Sequence, residues 1–225
     1  MIRIHSFSGG VGSMAAAIRD AEANGTADMI LLFTDTLIED KDLYRFMIES
    51  AAYLFGLPKP VNLLKLCGAI PDVDKDIDAR RDYLTSLAVN VMEYIPQFQW
   101  ISDGREPWKV FRDRKWIGNS RVAQCSEELK QKLSRRWVKE RYKPDEAIIY
   151  FGIDWTEMHR IGGIEKGWAP YKCKFPMTEN PYLYKSDMLH GLKQYGIPAP
   201  RLYNMGFAHN NCGGFCVRGG DKGIS

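Results

Sequence analysis

Ile2-Arg3-Ile4-His5-Ser6-Phe7-Ser8-Gly9-Gly10-Val11-Gly12-Ser13 opens the chain with strand-type residues and runs straight into a glycine-rich turn. Just beyond it Met14, Ala17, Ile18 and Ala21 fall at helical spacing, and Gly25 suits the helix stop. Strand, glycine turn and helix in that order make a cradle for a tetrahedral oxyanion. Three glycines let backbone N–H groups converge with no Cβ in the way. The helix adds its unsatisfied N–H groups and the positive end of its dipole. Ser6, Ser8 and Ser13 bring hydroxyl donors to the same place. The turn lacks the Gly-Lys-Ser/Thr ending of a Walker loop and the G-x-G-x-x-G spacing of dinucleotide folds.

Outward from this turn the first 65 residues keep a β-α-β-α-β rhythm. Met29 to Phe33 is a continuous apolar run, as expected of a parallel strand covered on both faces. Leu43, Phe46, Met47 and Leu54 mark a second helix closed by Gly56 and Pro58, and Val61 to Leu66 reads as a third strand. The segment 71–121 is less regular and reads as an insertion or lid, with a helix over Asp78 to Tyr94 and an aperiodic stretch from Gly104 to Asn119. Ser126 reads as the cap of a helix whose apolar stripe is Leu129, Leu133 and Trp137. Ile148 to Ile153 predicts a fourth buried strand and Ser186 to Tyr195 a last short helix. The tail, 200–225, holds a loop rich in Gly, Asn and Cys from His209 to Gly220. Strands alternating with helices predict one α/β domain on a parallel sheet, Rossmann-like in its layering.

Composition narrows the functional classes. The 225 residues carry 31 Lys and Arg against 28 Asp and Glu, a net charge of +3, which permits an anionic ligand without demanding one. Neither an apolar run of membrane-spanning length nor a charged-then-apolar leader is present, so the expectation is a cytoplasmic protein with no membrane partner. A homo-oligomer is compatible with the chain. Five cysteines, an odd count, argue against a disulfide framework.

The turn Ser8-Gly9-Gly10-Val11-Gly12-Ser13 resembles the phosphate loop of the PP-loop, or adenine-nucleotide α-hydrolase-like, superfamily, which reads S-G-G-x-D-S after the first strand. Three further stretches are similar to the PAPS-reductase-like branch. They are Thr34-Asp35-Thr36, then Gly118-Asn119-Ser120-Arg121 running into Cys125-Ser126-Glu127-Glu128-Leu129-Lys130, and Gly152-Ile153-Asp154-Trp155 leading to Glu157-Met158-His159-Arg160. The tail His209-Asn210-Asn211-Cys212-Gly213-Gly214 is similar to one in other members of that branch. The resemblance implies an enzyme of the PP-loop fold that binds ATP or PAPS. It implies either adenylation with pyrophosphate release, or sulfur transfer or sulfonucleotide reduction by a thiolate. Gly12 stands where the ATP-cleaving members carry an aspartate that organises pyrophosphate and its metal. Cys212-Gly213 keeps only part of the reductases' Glu-Cys-Gly-Leu/Ile-His segment.

The resemblance places the phosphate or sulfate on Ser6, Ser8, Gly9, Gly10, Val11, Gly12 and Ser13. It places the adenosine at Thr34-Asp35-Thr36, with Asp35 near the ribose. As the cap of the next helix, Asp35 would have an equally ordinary structural role. Arg160 and Arg121 are candidate phosphate clamps, His159 is a candidate catalytic acid–base group, and Asp154 or Glu157 would hold Mg²⁺ beside a pyrophosphate. A solvated loop with local ion pairs is the plainer reading of that stretch. Cys212-x-x-x-Cys216 with His209 has a spacing compatible with zinc or an iron–sulfur cluster, with Cys125 or Cys173 completing the ligands. Cys212 and Cys125 are also candidate reactive thiols, Cys125 at a helix start where the dipole lowers a thiol pKa. Ordinary buried cysteines are the third reading. Lys109, Arg112, Arg114, Lys115 and Arg121 interleave with Trp108, Phe111 and Trp116, a mixture able to contact nucleic acid or close over a nucleotide. A solvated basic face around aromatic anchors is the default reading of that mixture. A nucleotide-binding module without catalysis and a nucleic-acid modification enzyme therefore stand as alternatives.

Overall fold

The computed structural model describes residues 1–119 and 122–217. Five strands, β1 (Ile2–Ser6), β2 (Met29–Asp35), β3 (Phe98–Ser102), β4 (Ala147–Phe151) and β5 (Lys172–Lys174), form one sheet in the order β3-β2-β1-β4-β5. Every pairing is parallel, with Ile4 of β1 opposite both Ile30 and Ile149. The helices are α1 (Val11–Asn24), α2 (Lys41–Leu54), α3 (Val61–Gly68), α4 (Ile77–Tyr94), α5 (Pro107–Arg114), α6 (Gln124–Ser126), α7 (Leu133–Lys139), α8 (Ile161–Trp168), α9 (Lys185–Gly191) and α10 (Arg201–Asn204).

Alternation along the strands sends side chains to two separate cores. Leu31, Phe33, Phe98 and Trp100 join Met14, Ala17, Leu43, Phe46, Leu84 and Leu87 from α1, α2 and α4 on one face. Ile4, Leu32 and Ile149 meet Trp137, Val138 and Trp168 from α7 and α8 on the other. Each large apolar side chain so buried is worth roughly 1.5–3 kcal/mol. Asp40 and Asp76 cap α2 and α4 by accepting from backbone N–H groups of the first turn, Asp42 for one and Asp78 and Ala79 for the other. Among the described residues no helix is long and apolar enough to cross a membrane.

The third strand is the main correction. Val61 to Leu66 is helical, part of α3, with Leu63 and Leu64 packed on the first core and Cys67 buried. Asn62 and Lys65 lie on its outer side, a one-sided pattern that a doubly covered strand does not tolerate. The strand beside β2 is instead Phe98–Ser102, inside the segment read as an insertion. Gln99 interrupts its apolar run, which an edge strand accommodates. The stretch 71–121 therefore contributes α4 and β3 to the α/β layers. Its Gly104 to Asn119 part holds α5, which Pro107 begins.

Smaller shifts follow the same logic. Ser126 lies inside a helical run rather than at its cap; Ala123 precedes the first turn, and Glu127–Lys132 continue it as π-helix. Leu129, Leu133 and Trp137 are buried, as the stripe predicts. The last predicted helix is α9, followed by a 3-10 turn at Leu192–Tyr195.

Candidate functional site

In this strand order the chain leaves β1 for β2 and β3 on one side and reaches β4 and β5 on the other. The loops after β1 and β4 therefore part over the carboxyl end of the sheet, where open parallel sheets bind ligands. Here the two loops touch. A Cβ on Gly12 would sit 2.9 Å from the carbonyl oxygen of Gly152, and one on Gly152 would sit 2.5 Å from the Ser13 nitrogen. The aspartate of the resembled motif has no room at position 12, because backbone packs on backbone there.

The turn itself is built around Gly9 and Gly10. Gly9 has φ +77° and lies against Leu43, so both its conformation and its space require glycine. Gly10 is extended, and its carbonyl accepts from the Ser13 and Met14 amides and from the Ser13 hydroxyl at 2.7 Å. Ser13 is thus turned into the loop, and Gly9, Val11 and Ser13 are buried, whereas Ser6, Ser8, Gly10 and Gly12 stay half-buried.

A strap formed by the C-terminal segment lies across this turn. The Val11 amide donates to the Tyr203 hydroxyl at 3.3 Å, and the Asn210 amide donates to the same oxygen. The Asn210 side chain, almost wholly buried, donates to the Gly9 carbonyl at 2.8 Å, while its Oδ1 has no protein partner. Farther along, the Cys212 amide donates to Glu39, and a Cβ on Gly213 would sit 2.8 Å from the Ile38 carbonyl oxygen. At its near end Arg201 pairs with Asp40. Nothing in the local sequence marks Tyr203 or Glu39 for these contacts, since both act across more than 170 residues.

The remaining predicted residues divide between buried structure and surface pairs. Asp35 is completely buried; its carboxylate accepts from the Leu37 amide (2.7 Å), the Tyr44 hydroxyl (2.8 Å) and Trp100 Nε1 (3.1 Å). Burial pushes its pKa up to about 6 against those donors. It faces the core, so the expected ribose contact is replaced by a role in tying β2 to α2 and β3. Thr34 is half-buried and Thr36 buried, the Thr36 hydroxyl donating to Glu39 at 3.0 Å. Asp154 caps a 3-10 turn, Trp155–Arg160, accepting from the Thr156 amide at 2.8 Å and from its hydroxyl. Arg160 is held by Glu157 at 2.6 Å, and His159 is exposed. Arg121 lies outside the described residues, as does the tail beyond Val217.

Three cysteines gather at the strap and two do not. Cys67 on α3 and Cys173 on β5 sit apart, their thiols pushed by burial up to about 12 and about 11. Cys125, Cys212 and Cys216 are electrostatic neighbours beside Lys130, with Cys212 donating a hydrogen bond to Cys216. The Cys125 pKa is raised, chiefly by burial, so the expected lowering at a helix start is overturned; α6 has only three residues and its first turn passes into π-helix. That π-helical stretch carries Lys130, whose ammonium meets Glu39 at 3.0 Å. Burial works against the Lys130 charge, yet Glu39 and the thiols beside it hold its pKa above the usual lysine value. The hydrogen bond to Cys216 and burial both raise the Cys212 thiol. His209 is lowered by partial desolvation and by Lys185. Among the described residues no three His, Cys, Asp or Glu side chains stand where they could hold a metal ion, so the expected zinc or cluster set of Cys125, Cys173, His209, Cys212 and Cys216 is not assembled.

The basic and aromatic stretch is largely self-paired. Lys109 bonds Asp113, Arg112 bonds Glu106 and Arg114 bonds Glu128, while Phe111 is buried and Trp108 and Trp116 are exposed. A cavity of about 520 Å³ opens along the flank of α1 between Met14, Ile18, Met177, Met188, Leu192 and Tyr195, and it reaches the glycine turn only at Val11. Compared with known proteins, the chain matches no protein-family model and no curated protein.

Proposed function

We propose that the chain is a PAPS-reductase-like enzyme that binds an adenine nucleotide, its sulfate or phosphate end on the turn Ser8 to Ser13, and works by sulfur chemistry. The observation that carries this reading is the N-terminus of α1. Its first amide, on Val11, already donates to an oxygen, that of the Tyr203 hydroxyl, at the switch point of a parallel sheet. An oxyanion oxygen would take the same position, with the Gly12 amide and the half-buried Ser8 beside it.

Of the two chemistries, thiol attack on sulfur fits these residues better than adenylation. Gly12 offers no carboxylate and is closed off by Gly152, while Asp154 is engaged as a cap and Glu157 by Arg160. The donor set around the turn therefore suits an anion held by amides better than a metal–pyrophosphate. Cys212 and Cys216 supply the thiols, on the same strap that touches the turn. Lys109, Arg112 and Arg114 each pair with a carboxylate, which favours a small anion over a nucleic-acid substrate.

Turnover with PAPS and with ATP, run in parallel on the reduced protein, tests the reading. Sulfite release from PAPS is expected. Pyrophosphate release from ATP instead would shift the assignment to adenylation. Binding of either nucleotide without turnover would reduce the chain to a binding module, and absence of binding would remove the proposal.

A further inference from the structure

Cys212, Gly213 and Gly214 are three consecutive residues with positive φ, at +58°, +57° and +88°. For Cys212 this is an unfavourable backbone, and such strain persists where surrounding contacts over-determine it. Two contacts do so. The Cys212 amide is held by the fully buried Glu39 carboxylate, and Gly213 lies against the Ile38 carbonyl oxygen so closely that no side chain fits. The resulting curl turns the chain back on itself within four residues and brings Cys212 into hydrogen-bond contact with Cys216. Lys130, placed by the π-helical stretch Glu127–Lys132 and held by Glu39 at 3.0 Å, carries an ammonium whose charge acts on both thiols. π-Helical turns are rare and concentrate at functional sites. No disulfide links any of the five cysteines in this structure.

We propose that Cys212 and Cys216 form a redox-active dithiol that undergoes thiol–disulfide exchange with a low-molecular-weight disulfide or a partner protein's disulfide. One thiolate of the pair attacks a sulfur of RSSR, forming a mixed disulfide and releasing RS⁻. The second thiolate attacks the protein sulfur of that mixed disulfide, closing Cys212–Cys216 and releasing the second RS⁻. The two protons given up by the cysteines end on the two RS⁻ groups. The dithiol loses two electrons and RSSR gains them, so the step runs in either direction with the poise of the thiol pool. The Lys130 charge favours the thiolate form and so opposes the burial and the Cys216 hydrogen bond that raise the Cys212 thiol. Cys125 is a neighbour of Cys216 but is no part of the exchange.

The test uses the full-length chain equilibrated across mixtures of reduced and oxidised glutathione, with maleimide labelling of remaining thiols and peptide mapping. The wild type should lose two labels together and yield a Cys212–Cys216 linked peptide, lighter by two hydrogens. Cys212→Ser and Cys216→Ser should each stop at a single glutathione adduct, whereas Cys125→Ser should behave as wild type. The same equilibration in denaturant supplies the reference for an unstructured pair. The folded chain should close its disulfide at least about tenfold more favourably than the unfolded one. Retention of all five labels, a linked peptide through Cys125, or closure no better than in the unfolded chain would each overturn the proposal.

Discussion

Gly12 and Asp35 show how much a single residue's neighbours determine what it does. Gly12 differs from the resembled loop, which has an aspartate there to organise pyrophosphate and its metal, and in three dimensions it is the point where the loops after β1 and β4 press together. Gly12→Ala is expected to destabilise the fold by roughly 1–3 kcal/mol, the range for overpacking a tight contact, seen as a lower denaturation midpoint at unchanged slope. An unaltered midpoint would mean that the loops can part without cost. Asp35 makes a different prediction, in pH. Its folded pKa of about 6 stands above the ordinary 3.8, so between those values the folded chain keeps a proton that the unfolded chain has released. Its contribution is therefore complete below the ordinary value and disappears as pH rises through about 6, a change of about 3 kcal/mol. Asp35→Asn should remove that slope. Urea unfolding of both proteins at several pH values between about 4 and 7 checks it through their difference, since the buried His5, whose pKa burial lowers, drives stability the other way in both. Parallel pH profiles would show that Asp35 does not titrate in this range.

At the scale of elements, the C-terminal strap satisfies hydrogen bonds at the N-terminus of α1 and the turn before it. Tyr203 places its hydroxyl oxygen on the Val11 amide, the position that the proposed function gives to a ligand oxygen. Tyr203→Phe leaves the Val11 amide without that acceptor and keeps the ring that packs on the first core. A net hydrogen bond is worth about 0.5–1.5 kcal/mol, so a bound oxyanion should gain roughly three- to tenfold in affinity. Calorimetric titration with PAPS and with 3′,5′-ADP measures this, and a loss of affinity would instead make the hydroxyl a donor to the ligand. Asn210→Ala belongs to the same element. It leaves the buried Gly9 carbonyl unpaired and should loosen the strap by about 1–3 kcal/mol, read as faster amide exchange over residues 207–217 with α1 unchanged.

For the whole molecule, the sheet separates two cores of unequal reach. The larger one spans α1, α2, α3, α4 and α9, and β3 closes it through Phe98 and Trp100. Phe98 is fully buried between Phe7, Phe33 and Trp100, so Phe98→Ala should cost about 3–5 kcal/mol. A change below about 1 kcal/mol would mean that β3 is a dispensable edge and that segment 71–121 is an appendage after all. The candidate site lies at the carboxyl end of the sheet, beyond β1 and β4. It is assembled where both layers end, from the turn before α1, the loop after β4 and a strap returning from about 200 residues later.

Local periodicity was sufficient for the parallel α/β class, for α1, α2 and α4 and for β1, β2 and β4, because each depends on residues within a turn or two of one another. It also located the glycine turn, since positive φ at Gly9 and the extended Gly10 are written in residue type. It failed at Val61 to Leu66, where a short apolar run suits helix and strand alike and only packing against α2 and α4 settles the matter. It failed again at β3, whose pairing partner lies more than 60 residues away. The meaning of Gly12, the inward turn of Asp35, the gathering of Cys212 and Cys216 at Lys130, and the covering of the glycine turn by Tyr203 and Asn210 were decided by the tertiary structure alone. Each is a contact between segments far apart in the chain, and distance along the sequence carries no information about such contacts until the backbone has closed them.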